Sequence, residues 1–296
     1  MFVIIGGLVV LGSIVSGYLL EKGNLSVLFQ PAEVLIIFGA ATGALVIASP
    51  PYVLKGVIKG IISTITGGKG YSKKDYMETL LLLSELLTKI RKEGLISIEQ
   101  DIEEPENSAI LSRYPEFMKN HHAMRFLTDT LRTVMTTTVS PYELESILDN
   151  EIDTLHEVES KPVKNLLNIA DSLPGLGIVA AVLGVVLTMG KMKEPPEVIG
   201  HSVGAALVGT FMGVLMCYGF VGPLARRLEA NVNHEREYLN VIKSALVAFV
   251  SGAAPQIAIE FARRSIPHHL RPTFHELEEE VRALKAKPVA ETVTSS

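Results

Sequence analysis

Acidic and basic side chains are the groups that carry ions through an apolar environment, and this sequence keeps them out of its apolar stretches. Four long stretches contain no Asp, Glu, Lys or Arg: residues 1–20, 34–54, 172–190 and 198–225. The nearest ionisable residues, Glu33, Asp171 and His201, lie only at the ends of these stretches. An ionisable group deep in a membrane marks an ion pathway or a proton relay. The chain therefore either moves no ions, or a partner supplies the titratable group.

The last two apolar stretches contain residues that favour close packing and bending. Pro174 and Pro223 lie near the ends of their stretches, where each removes a helix hydrogen bond and can act as a hinge. Gly209 and Gly213 form a GxxxG pair, which serves either packing within the chain or a seam against another subunit. Thr210 is a small polar residue deep in the fourth stretch. From position alone, we expect its hydroxyl to bond to a carbonyl of its own helix.

Nothing in the sequence indicates an enzyme, a cofactor or a metal. The single cysteine, Cys217, lies inside an apolar stretch, which excludes a disulfide scaffold. The histidine pairs at 121–122 and 268–269 have no further Cys or His at ligand spacing. The sequence also lacks a nucleotide-binding loop and a nucleophile elbow. We expect no enzymatic activity, no cofactor and no nucleic-acid partner.

The elements that contain these residues are predicted to be transmembrane helices. About 20 apolar residues span a bilayer as a helix, and four stretches of this length argue against a soluble protein. The first stretch lacks a basic n-region and a cleavage site, so it is interpreted as a retained anchor. We predict an all-α polytopic membrane protein with four transmembrane helices and a helical cytoplasmic domain. Its predicted segments are spans 1 and 2 (1–54), a cytoplasmic domain (55–171), spans 3 and 4 (172–225) and a cytoplasmic extension with its tail (226–296).

Basic residues predict the orientation of the chain. The links between spans carry few of them, whereas Lys55, Lys59, Lys164, Arg226 and Arg227 flank the spans on the side of the long segments. By the positive-inside rule the long segments are cytoplasmic. Both termini are then also cytoplasmic, and the protein displays most of its polar mass inside the cell.

The long segments have helical patterns and helix start signals. Ser72 with Asp75 is typical of a capping box, and Ser140 followed by Pro141 and Glu143 predicts a second helix start. The segment 53–65 fits either an amphipathic helix at the membrane interface or a short linker, and both alternatives stay open here.

Five segments of the sequence resemble the MotA family of flagellar motor stator subunits. They are residues 11–50, 91–105, 171–186, 208–225 and 271–285. The resemblance covers essentially the whole chain in order. It implies a ring of subunits, a pentamer, around the membrane helices of a MotB-type partner that supplies a membrane aspartate and a peptidoglycan anchor. It also implies contact with the rotor protein FliG, location in the bacterial inner membrane among its lipids, and proton flow that drives flagellar rotation.

The resemblance also assigns roles to particular residues. Arg91 and Glu99 match the family's torque charges, which meet complementary charges on the rotor; without the resemblance they are ordinary solvated charges. Pro174 and Pro223 match the family's functional prolines. Glu151 lies near another charge that matters in the family. These are expectations that the resemblance carries.

The coupling ion is predicted from two positions in the spans. Thr210 matches a threonine that lines the ion site in the family. Ala181 stands where sodium-driven relatives have a threonine, and a methyl group cannot coordinate Na⁺, which prefers oxygen ligands. A proton needs only a titratable aspartate on the partner and a water chain. We therefore favour H⁺ as the coupling ion.

Three alternatives come from other classes of membrane protein. A proton-driven energising channel subunit resembling ExbB or TolQ has three spans and a different loop order, which argues against it. A secondary transporter typically shows internal repeats, and none is visible in this sequence. A structural membrane scaffold without ion coupling is not excluded by the chemistry of this chain alone.

Overall fold

The computed structural model describes residues 2–67 and 70–286, with side chains described as far as residue 284. Over this part the chain is all-α. Its α-helices are α1 Phe2–Leu20, α2 Leu25–Leu28, α3 Pro31–Ala48, α4 Pro51–Thr66, α5 Lys73–Glu93, α6 Glu99–Glu103, α7 Pro115–Lys119, α8 His121–Thr136, α9 Pro141–Met189, α10 Pro196–Leu215, α11 Gly222–Val250, α12 Pro255–Ser265 and α13 Phe274–Ala286. Three short 3₁₀ helices, Leu95–Ile98, Pro105–Asn107 and Leu111–Arg113, lie in the connections, and a π-helix, Met216–Val221, joins α10 to α11.

Four helical segments of the described chain are long and apolar enough to cross a membrane. They are Phe2–Leu20, Leu25–Ala48, Pro141–Met189 and Pro196–Val250. Large aliphatic side chains such as Leu8, Ile178 and Leu187 are exposed on them, as expected for surfaces that contact lipid. The predicted fold class is therefore confirmed.

The chain divides into two compact units. Within the described residues, unit 1 comprises residues 2–67 and 157–232, and unit 2 comprises residues 70–156 and 233–286. The long helices α9 and α11 each contribute residues to both units. The segment boundaries predicted at 55, 172 and 226 concern the membrane surface and stay predictions. The last ten residues of the predicted 226–296 extension lie outside the described residues.

Unit 1 is held together by small buried clusters between its helices. One cluster joins α4 to α9 and α11 through Val53, Val57, Val163, Leu166 and Ala225. A second cluster joins α3 to α9 and to the segment after α10; it contains Ile37, Ala41, Leu173, Ala180 and Cys217.

Unit 2 has an extended apolar core that α5, α8, α11 and α12 share with the first turns of α9. The predicted capping box is confirmed: the Ser72 N–H donates to Asp75 Oδ2 at 2.7 Å, and the Asp75 N–H donates to Ser72 Oγ at 3.3 Å. The start of α9 is confirmed in the same way, with the Ser140 N–H donating to Glu143 Oε2 at 2.9 Å. Hydrogen bonds to the Ser140 side chain and backbone lower the pKa of Glu143.

Candidate functional site

The small residues of the last two spans pack against each other inside the chain. A Cβ added to Gly177 would lie 2.6 Å from the Gly209 carbonyl oxygen and 3.1 Å from Gly213 Cα. A Cβ added to Gly184 would lie 2.6 Å from Ala206 Cβ. Contacts this short mean that α9 and α10 approach at backbone distance, as small-xxx-small helix pairs do in membranes.

The two interpretations of the small-residue faces therefore apply to different residues. Gly209 and Gly213 serve packing within the subunit. Gly200 and Gly204, one pair earlier on α10, have no atom within 4 Å of an added Cβ among the described residues. Of the two pairs on α10, the second is therefore the one with an uncovered face in the described chain.

The two predicted ion-path residues lie beside this tight contact. Ala181 is buried, and its backbone nitrogen is 3.2 Å from the position of an added Gly209 Cβ. Thr210 is half-buried, with its Cα 3.3 Å from the corresponding Gly177 position. No described residue forms a hydrogen bond with Thr210 Oγ1, so the expected bond to its own helix is wrong. The Thr210 hydroxyl is free to bind water or another group, and its role in an ion path stays a prediction.

Glu33 is a candidate functional residue that the sequence did not single out. It lies in the first turn of α3, as expected for the end of a span, but its side chain is only 8% exposed. Its Oε2 is buried without a hydrogen-bond partner in the described chain and lies 2.6 Å from the position of an added Gly209 Cβ. An ionisable group inside the packed spans is a candidate functional residue. In the sequence, the only sign of a buried Glu33 is the apolar stretch that follows it. The contact of Glu33 with α10 joins residues that are far apart along the chain, so sequence reasoning did not predict it.

The two predicted hinge prolines have different surroundings. Pro223 is the second residue of α11, which directly follows the π-helix, and the Gly222 N–H before it donates to the Cys217 carbonyl. A π-turn accommodates a residue that lacks an N–H, and such turns recur at functional sites. Pro174 lies inside α9, which continues as one helix through it and through Pro162. The hinge roles stay predictions, and Pro223 has the clearer structural correlate.

In unit 2, Arg91 and Glu99 flank a sharp corner of the chain. Arg91 is in the last turn of α5, Gly94 adopts a left-handed φ of 88°, and Glu99 begins α6. A positive φ suits glycine because it has no Cβ. Arg91 and Glu99 are both exposed, and neither has an ion pair or hydrogen bond through its side chain in the described chain. Ile96, between them, is 79% exposed.

Many charged side chains of unit 2 are paired, whereas Arg91, its neighbours Lys92 and Glu93, and Glu99 are exposed without an ion pair in the described chain. The ion pairs of this unit include Lys73–Glu276, Lys89–Asp101, Arg113–Glu85, Arg132–Glu103, Arg236–Asp153, Lys243–Asp149 and Arg263–Glu260. Arg91 and Glu99 are therefore available to an external partner. Glu151 is also exposed, on α9.

Asp101 fixes the corner in place. It is buried, and Lys89 Nζ donates to its Oδ2 at 2.8 Å while Ser108 Oγ donates to its Oδ1 at 2.5 Å. Ser108 Oγ in turn accepts the N–H groups of Ile110 and Leu111. This network ties α5 to α6 and to the loop that follows, so it positions Arg91 and Glu99 without touching them. The sequence offered no specific signal for it.

The described chain has apolar spans that meet through small residues, one carboxylate buried between these spans, and a second helical unit rich in charge. These features are typical of the class of membrane channel and energising subunits. Comparisons with known proteins narrow this class. Residues 4–94 match the family model "Motility protein A N-terminal", and residues 118–241 match "MotA/TolQ/ExbB proton channel family". The chain is 39% identical to motility protein A of Escherichia coli over 99% of both chains. It is also 37% identical to the chemotaxis protein LafT of Vibrio parahaemolyticus, over 93% of this chain and 96% of that one.

This chain belongs to the motility protein A (MotA) family. It is thus a flagellar stator subunit rather than an enzyme, and a multi-pass protein of the bacterial inner membrane. Two solved structures share its fold with a TM-score of 0.74: one of C. jejuni MotAB, at 21% identity and covering 90% of this chain and 95% of that one, and the Bacillus subtilis flagellar MotAB stator complex, at 22% identity and covering 93% and 100%.

Proposed function

We propose that this subunit, with a MotB-type partner, forms a proton-conducting unit that turns ion flow into torque on the flagellar rotor. The observation that carries the proposal is the corner at Gly94, where Arg91 and Glu99 are exposed and unpaired on either side of a turn that the buried Lys89–Asp101 pair holds in place. Unpaired charges of opposite sign on a rigid corner suit contact with complementary charges on the rotor protein FliG.

The partner accounts for what the spans lack. The four apolar stretches contain no acidic group, and Glu33 lies at the end of one of them, so a MotB-type helix with a membrane aspartate completes the path. The open Gly200–Gly204 face of α10 supports a seam for such a helix or for a neighbouring subunit. A pentameric ring around two partner helices agrees with the family resemblance, and imaging of the purified complex tests the stoichiometry.

We assign H⁺ as the coupling ion. Ala181 offers no side-chain oxygen, and the free hydroxyl of Thr210 can hold one water of a proton path. Glu33, buried beside α10, is a candidate acid on the same route. If swimming speed depended on external Na⁺ at a constant proton-motive force, this assignment would be wrong.

Protonation of the partner aspartate then moves the subunit through small changes at Pro174 and Pro223. The π-helix before Pro223 supports this step, because π-turns interrupt the regular α-helical hydrogen bonds and recur at functional sites. Both termini and both long segments (55–171 and 226–296) lie in the cytoplasm in this proposal, and inner-membrane lipids surround the spans.

The decisive experiment reverses both charges at the corner, as Arg91→Glu with Glu99→Arg. Swimming should fall sharply while the complex with the partner still assembles and conducts protons, because the corner lies in unit 2 and not in the spans. The matched control reverses the paired charges Arg236 and Asp153, which keeps their ion pair. Normal motility of the corner variant would contradict the rotor contact.

A further inference from the structure

Helix α4 has one face that is packed inside unit 1. A Cβ added to Gly56 would lie 2.6 Å from Pro162 Cγ, and one added to Gly60 would lie 2.6 Å from Leu228 Cδ2. These two glycines, one helical turn apart, let α4 lie directly against α9 and α11. The segment left open between interfacial helix and linker is therefore a regular helix in fixed contact with its neighbours.

The opposite face of α4 combines exposed aliphatic and basic side chains. Ile58 and Ile62 are 60% and 57% exposed, and they alternate along the helix with Lys55 and Lys59. An open groove of about 510 Å³ runs along this face; its lining residues are Lys55, Ile58, Lys59, Ile62, Ser63 and Thr66. No other segment of the described chain covers it.

The charges on this face are unbalanced. Lys55 and Lys59 have no acidic partner among the described residues and, four positions apart, point the same way. Lys164 and Arg226 belong to the same unit, are exposed, and add positive charge without an ion pair in the described chain. The complementary ligand is therefore anionic.

The location of α4 indicates which anionic ligand it meets. The helix starts at Pro51, three positions after α3 ends at Ala48, so its first turn lies close to the end of a membrane span. Ile58 and Ile62 each lie three positions after a lysine, Lys55 and Lys59, on the same face of the helix. Such a mixed strip suits the boundary between acyl chains and headgroups, where aliphatic side chains enter the hydrocarbon and lysines extend to the phosphates.

We propose that the exposed face of α4 is a binding site for anionic phospholipid. Lys55 and Lys59 contact headgroup phosphate oxygens, and Ile58 and Ile62 insert between acyl chains. Because the other face of α4 is locked against α9 and α11, bound lipid also holds the helices that continue into the hinge at Pro223. The inference deepens the proposed contact with inner-membrane lipid and rests on the proposed orientation, in which this face meets the cytoplasmic leaflet.

The test measures lipid retention, which depends neither on proton flow nor on the rotor. The complex with its partner is purified in detergent, stripped of lipid and titrated with phosphatidylglycerol or phosphatidylcholine, and bound lipid is counted by native mass spectrometry. Each basic side chain near an anionic surface contributes about fivefold to affinity, so Lys55→Gln with Lys59→Gln should weaken phosphatidylglycerol binding about 30-fold. Phosphatidylcholine binding should not change.

The matched control is Lys74→Gln with Lys92→Gln, which removes the same charge from exposed positions in unit 2 and should leave phosphatidylglycerol binding intact. Lys55→Arg with Lys59→Arg should also retain it. Equal losses in both glutamine pairs, or equal binding of the two lipids to the unaltered complex, would overturn the proposal. Equal binding of the two lipids to the unaltered complex would overturn the proposal even if the glutamine variant fails to assemble.

A second measurement identifies what covers the face. A fluorescent label at Ile58→Cys, in a Cys217→Ser background, should be quenched by brominated phospholipid in nanodiscs. A disulfide between two copies at position 58, without quenching, would show that a second subunit occupies the face and would refute lipid binding there.

Discussion

The two units of this subunit are stabilised by different interactions. In unit 2 the surface charges form ion pairs around an extended apolar core, whereas in the spans of unit 1 the helices meet through glycine and alanine. Lipid is as apolar as a leucine side chain, so burial alone does not drive helices together in a membrane, and close backbone approach takes its place. An unpaired charge therefore has a different meaning in each unit. Glu33 is the exception in the spans, where its carboxylate is buried without a partner in the described chain, whereas Arg91 and Glu99 in unit 2 are unpaired but exposed.

The largest expected effect tests the glycine contact. Gly177→Val places a branched side chain against the Gly209 carbonyl and Gly213 Cα, where backbone atoms cannot yield. Overpacking of this kind should destabilise the chain by about 3 kcal/mol or more, and folded complex should be lost from membranes. The yield of detergent-extracted complex on size-exclusion chromatography measures this.

Gly204→Val is the matched control on α10, because no described atom lies within 4 Å of its added Cβ. The subunit should fold, and only its association with the partner or with neighbouring copies should weaken. Equal yields for the two variants would show that α9 and α10 do not depend on the contact at Gly177.

A smaller loss should follow from breaking the buried charge network of unit 2. Asp101→Ala leaves Lys89 and Ser108 without their acceptor, and an unsatisfied buried group costs about 1–3 kcal/mol. Thermal unfolding of the purified complex should shift down, and torque should fall because the corner at Arg91 is no longer held. Asp129→Ala, which removes a partner from an exposed ion pair, should change stability by less than about 1 kcal/mol.

Features set by local chemistry could be predicted from the sequence. The four spans follow from length and hydropathy, and the helix starts at Ser72 and Ser140 follow from side chains three positions away. Arg91 and Glu99 were identified through the family resemblance. The structure adds that their side chains are exposed and unpaired.

Features set by long-range contacts could not be predicted. Glu33 lies at the end of a span in the sequence, but its burial depends on Gly209, which is far away along the chain. The free hydroxyl of Thr210 contradicts a sound local expectation, because a threonine in a helix commonly bonds to its own backbone. The roles of Asp101 and Ser108 depend on how a loop folds back onto α5, and no spacing rule encodes this.

An isosteric substitution distinguishes a role of Glu33 in proton flow from a role in packing. Glu33→Gln keeps the volume of the side chain and removes its titratable group, so we expect the complex still to fold and assemble. Proton flux through the reconstituted complex should nevertheless fall, whereas Glu33→Asp should retain part of it. A variant that loses stability and keeps its flux would show that Glu33 is a packing residue like the glycines around it.

The smallest expected effect concerns an exposed ion pair of unit 2. Glu276 accepts a hydrogen bond from Lys73 Nζ at 2.7 Å and one from the Thr273 N–H at 2.7 Å, and these contacts lower its pKa to about 2. Because the pKa of Glu276 is lower in the folded than in the unfolded chain, its contacts stabilise the folded state at pH values above about 4.5. This stabilisation is lost as the pH falls through about 2. Glu276→Gln should therefore lower the melting temperature slightly at neutral pH and match the unaltered protein in strong acid.

Glu280→Gln, on the same helix without an ion pair in the described chain, should show no such pH dependence. If both variants shifted equally at every pH, exposed pairs would contribute nothing specific to unit 2, and its stability would come from the apolar core and buried pairs such as Lys89–Asp101.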